Sequence, residues 1–123
     1  MVLSDDGHEL IGLLAFVYLQ NNRPEKAEIL LQALHALGQA NPRELTTLAL
    51  SSLRAGRPDA ALEALDALAM QGAVDAPFHL IRAQALHAAH REPEAQAAMR
   101  AYVDARTAAH NDTSSAGISG RQF

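Results

Sequence analysis

The sequence predicts an all-α fold of six antiparallel helices arranged as three successive hairpins, and three observations lead there. The first is a spacing. Ala27, Ala61 and Ala95 recur every 34 residues, and so do Ala15, Ala49 and Ala83. Leu31, Leu65 and Met99 keep the same register, as do Leu34, Leu68 and Tyr102. Small residues at a fixed period mark points where two helices approach closely, because a larger side chain would push the pair apart. The second is punctuation at the same period: Asn22-Arg23-Pro24, Gly56-Arg57-Pro58 and His90-Arg91-Glu92-Pro93. The third is that no strand signal competes anywhere along the chain.

Each element follows from its own residues. The first helix, 7–21, is apolar almost all round. Asn22 ends it where a positive φ is useful, and Pro24 opens the second helix, 24–37, where a missing N–H costs nothing. Asn41, Pro42 and Glu44 form an N-cap, a first-turn proline and a capping-box acid for a third helix, 42–55. Gly56 closes that helix and Pro58 starts the fourth, 58–70. Asp75-Ala76-Pro77 serves the fifth helix, 76–89, as Asn41-Pro42 serves the third. His90 stands in the register of Asn22 and Gly56 but suits positive φ less well, so a looser turn is expected there. A sixth helix, 92–108, completes the set. From Asn111 the chain turns rich in Ser and Gly. The division is therefore a helical domain at 1–108 and a disordered tail at 109–123.

A 34-residue helix–turn–helix period is the signature of tetratricopeptide repeats. Three of them stack into a short right-handed superhelix, with first helices lining a concave groove and second helices forming the convex back. The 123 residues make one domain, 49% hydrophobic, with a formal charge of −4. Basic residues are scattered, so the stripe that nucleic-acid binding needs is missing. With no cysteine, disulfides, zinc ribbons and thiol catalysis are excluded. The longest apolar run, Leu10 to Leu19, is too short to span a bilayer, and Asp5, Asp6 and Glu9 upstream have the wrong sign for a signal peptide. The expectation is a soluble, cytoplasmic protein with no membrane insertion.

Function is expected in the groove. Counting from the alanine register, the positions not needed for repeat packing are Gly12, Phe16 and Leu19, then Thr46, Leu50 and Leu53, then Leu80, Gln84 and His87. Arg43 and Arg54 fall at the rim. Most of these are apolar, and the first helix is apolar beyond what a half-exposed helix should be. Two arginines are too few to clamp a terminal carboxylate. The groove instead asks for apolar side chains at i, i+3, i+4 and i+7, the pattern of an amphipathic helix. His79, His87 and His90 lack a readable third convergent ligand and second shell, so no metal is assigned. Asp59, Glu63 and Asp66 read as a solvated helix face. No phosphate loop, nucleophile elbow or paired-carboxylate cleft occurs, and neither enzyme activity nor a cofactor is expected.

The run Leu13 to Leu34 carries a resemblance. Its Leu19, Gln20, Glu25, Ala27, Leu30, Leu31, Ala33 and Leu34 resemble the opening repeat of small chaperones of bacterial type III secretion, of the YscY (SctY) kind, with Asn22 where that family often has Gly. The match spans about residues 8 to 108. The resemblance implies a chaperone in a virulence-associated export system. It would bind a small secreted component (SctX-like), most simply as a heterodimer, keep it soluble and present it to the export gate. A needle-subunit chaperone of the same system, or a scaffold unrelated to secretion, would use the same fold and a similar groove.

Overall fold

The computed structural model describes residues 4–121, with side chains described to 111. Six helices follow in order: α1 (Asp5–Gln20), α2 (Pro24–Ala36), α3 (Pro42–Arg54), α4 (Pro58–Met70), α5 (Ala76–Ala88) and α6 (Glu92–Arg121). No strand occurs among the described residues.

The helix starts are capped as their residues dictate. Ser4 accepts from the Gly7 N–H, and Asp75 accepts from the Phe78 N–H at 3.0 Å. Asn41 and Glu44 close a reciprocal capping box at the start of α3. Prolines open α2, α3 and α4. The helix-ending positions Asn22, Gly56 and His90 all take positive φ, 61°, 80° and 62° respectively. The turn before α6 is therefore no looser in backbone type than the others. The common register overrides the preference of the His90 side chain, and histidine is among the residues that enter the left-handed region more readily.

Each helix packs on its successor, so the chain forms three hairpins stacked in order. The alanines sit where close approach is needed: Ala15, Ala27, Ala49 and Ala61 are fully buried, and Ala83 and Ala95 nearly so. Leu31, Leu34, Leu65 and Leu68 fill the spaces between pairs. The main core runs from Ala15 in α1 to Ile81 in α5. A smaller one of Ala83, Leu86, Ala95 and Ala98 joins α5 to α6, and Leu62 touches both. The first helices form a touching row, α1 on α3 and α3 on α5, whereas α2, α4 and α6 do not pack on one another.

The chain departs from expectation at its end. The last helix, placed at 92–108 and followed by a disordered tail at 109–123, instead continues to Arg121. No proline follows Pro93, and Ala105, Ala108 and Ala109 favour helix, so nothing steric stops α6 at 108. Residues 122 and 123 of that expected tail lie outside the described residues.

Candidate functional site

The row of first helices holds a cleft of about 250 Å³ between α1 and α3. Helical spacing builds its α1 wall. Glu9, Gly12, Leu13 and Phe16 stand at i, i+3, i+4 and i+7, on one face. Asn41, Arg43, Glu44 and Thr47 form the α3 wall, and Leu31 also lines the space. Leu13 and Phe16 remain 62% and 42% exposed. The cleft thus has an open apolar side with an anion, Glu9, and a cation, Arg43, at its edge.

Glu44 organises the inner end. Its Oε1 accepts from the Asn41 N–H at 3.0 Å, completing the capping box. Both of its oxygens lie 2.7 Å from His8 Nε2. A Cβ on Gly12 would stand 2.8 Å from Glu44 Oε2, so the glycine leaves room for this carboxylate. The Thr46 and Thr47 hydroxyls donate to Pro42 O and Arg43 O within their own helix. The arrangement suits an apolar side chain flanked by polar ones.

Of the residues expected in the groove, Gly12, Phe16 and Arg43 come together here. Others are placed differently. Leu19 is 6% exposed and belongs to the core, because α1 turns that position toward the helices behind it. Leu50 and Leu53 are half-buried and pack on the same core. Thr46 is outside the cleft lining, and Thr47, one position on, takes the place. Leu80 is half-buried and Gln84 exposed, both outside this cleft. His87 closes α5 and pairs with Glu92 at the start of α6, so its ring is held at that turn. Arg54 ends α3 and is exposed.

Sequence reasoning did not bring His8, Glu9, Leu13 or Thr47 into the groove. Glu9 and Leu13 share the α1 face of the expected Gly12 and Phe16, and Thr47 stands one turn beyond the expected Arg43 on α3, and that spacing was the available signal. The His8–Glu44 contact joins residues 36 apart and has no local signature. Away from the cleft, Arg91 donates to Glu94 through Nε at 2.9 Å and through a terminal nitrogen at 2.6 Å. These bonds hold the Glu94 carboxyl below the usual carboxylate range.

Among the described residues, no group of three His, Asp or Glu side chains could hold a metal ion, and no helix is long and apolar enough to cross a membrane. Compared with known protein families and with characterised proteins, the chain matches no family model and no characterised protein.

Proposed function

We propose that this chain is a helical-repeat binding protein of the tetratricopeptide type. Its first helices line a concave groove that holds an amphipathic helix of a partner. Within that class, the reading is a cytoplasmic type III secretion chaperone of the YscY (SctY) kind, bound one to one to a small secreted component and delivering it for export. One observation carries the groove: Leu13 and Phe16 stay open to solvent along a cleft whose rim holds Glu9 and Arg43. The uneven packing agrees with a curved stack, since first helices touch in a row and second helices stand apart. An apolar side chain of the partner would enter between Leu13 and Phe16, and Arg43 would orient its polar flank. A few such anchors supply most of the affinity.

The test is co-expression with the small secreted component of such a system. The wild-type chain is expected to give a discrete one-to-one complex. Phe16→Asp, at an exposed position, is expected to keep the helical circular dichroism and lose the complex. Calorimetry should show a negative heat-capacity change and little dependence on moderate salt, because apolar burial is not screened as exposed charge pairs are. Undiminished capture by Phe16→Asp, or affinity that collapses with salt, would sink the groove reading. Capture of the needle subunit in place of the first partner would select the alternative chaperone role.

A further inference from the structure

The two ends of the helix stack expose the two halves of the interface that joins neighbouring hairpins inside it. Advancing by one repeat from Leu14 leads to Leu48, and the side chains are 39% and 1% exposed respectively. Val17 is 40% exposed, and its equivalents Ser51 and Ala85 are fully buried. Leu10 is 64% exposed, while Phe78, two repeats on, is buried. The interior positions are covered because α3 packs on α2 and α5 packs on α4. No helix precedes α1 among the described residues. The far end mirrors this. Leu31 and Leu65 are buried under the next hairpin, whereas their equivalent Met99 is 41% exposed, beside Val103 at 51%.

The charges on the parts of α1 and α6 that would meet are opposite in balance, and the acids Glu92 and Glu94 lie at the other end of that part of α6, in its first turn. Asp5, Asp6 and Glu9 lie along the start of α1, all exposed. Arg100 and Arg106 lie along α6, also exposed, with Asp104 between them. In the stack a second helix runs antiparallel to the first helix that follows it, so the start of one lies beside the end of the other. A following α1 would set its acidic first turns beside the arginine-bearing part of α6.

We infer that a second copy of this chain covers α6, its α1 packing on Met99 as α3 packs on Leu31 of α2, with Val103 at the edge of the contact, so that copies join head to tail and continue the stack. The interface is heterologous: each copy uses its α1 end on one neighbour and its α6 end on the other. Such contacts grow beyond two unless they close into a ring. The surface adjoins the groove on α1, sharing Glu9 at its rim, and the inference does not rest on the function proposed above.

The experiment uses the full chain in sedimentation velocity and light scattering over a range of concentrations. The wild type is expected to rise with concentration past the mass of two copies. Leu10→Glu with Val17→Glu blocks one end, and Met99→Glu with Val103→Glu blocks the other. These side chains are at least two-fifths exposed, and circular dichroism checks that each double variant stays folded. Each variant alone is expected to be a monomer. Mixed together they are expected to give a dimer that grows no further, since one intact α1 end and one intact α6 end remain. Phe16→Asp is expected to associate as the wild type does. A wild type that stays monomeric would overturn the inference. So would loss of association on blocking α1 only, a mixture that forms no dimer, or loss of association in Phe16→Asp.

Discussion

His90 holds a left-handed backbone conformation, φ 62°, that most side chains avoid. A non-glycine residue there costs roughly 1–2 kcal/mol, and glycine gives back part of that through its freer unfolded chain. His90→Gly is therefore expected to stabilise the protein by about 0.5–1 kcal/mol, read from the urea midpoint. Asn22→Gly should gain less, because asparagine tolerates this region better. Gly12 presents the opposite case. Alanine there would gain up to about 1 kcal/mol of helix propensity in an open setting. Here its methyl meets the Glu44 carboxylate, which His8 and the Asn41 N–H hold in place. Gly12→Ala is expected to be neutral or destabilising in the wild type, and stabilising by about 1 kcal/mol in a Glu44→Ala background. A double-mutant cycle in urea checks the coupling, and additive effects would show that the carboxylate does not need the glycine.

At the scale of elements, one register position decides how two hairpins are tied together. Arg23, Arg57 and Arg91 all precede a second helix. Arg57, at the start of α4, pairs with buried Glu28 in α2, 3% exposed, and so links the first hairpin to the second. The position one repeat beyond Glu28 is Leu62, which offers Arg91 no acid, and Arg91 pairs instead with Glu94 in the first turn of the helix it precedes. Arg57→Ala leaves a buried carboxylate without its partner and is expected to cost about 2–3 kcal/mol. Adding Glu28→Leu should recover most of that loss, since a packed apolar residue replaces a buried ion at little cost. The Arg91–Glu94 pair is exposed, and Glu94→Gln should leave the urea midpoint at neutral pH unchanged. Because the folded carboxyl is held low, what the pair does contribute is present above the usual carboxylate range. It is lost as pH falls through the lowered value. An NMR titration of Glu94 should show that lowered midpoint.

Across the whole molecule, stability follows from how many neighbours each hairpin has. A stacked array is a sum of units and the interfaces between them, so the end units are the weaker ones. The helix α1 buries only Ala15 and Leu19, whereas α3 buries Leu45, Leu48, Ala49, Ser51 and Ser52. Amide exchange is expected to be slowest in α3 and α4 and markedly faster in α1. Equal protection in all of these helices would mean that the stack opens only as one unit. A groove built on α1 thus sits on the least buried first helix of the stack's starting half, where an occupant would add the contacts that α1 lacks.

The sequence by itself determined the number of helices, their order and where nearly all of them begin and end. Those features are local: Asn41 with Glu44, Asp75 with the Phe78 N–H, and the helix-opening prolines act within one turn. The alanine series at Ala15 and Ala27 and their equivalents was equally legible, since close approach demands a small residue at every repeat. The tertiary structure alone decided which face of each helix is open. Leu19 and Phe16 are three residues apart on the same apolar helix, yet one is core and the other lines the cleft. Which one faces the neighbours depends on the angle between helices, and composition does not encode it. The same holds for Thr46 and Thr47, and for the meeting of His8 with Glu44 across two helices. Met99 and Leu65 share a register and a chemistry, and their exposures differ because a hairpin packs over Leu65 and, among the described residues, none packs over Met99.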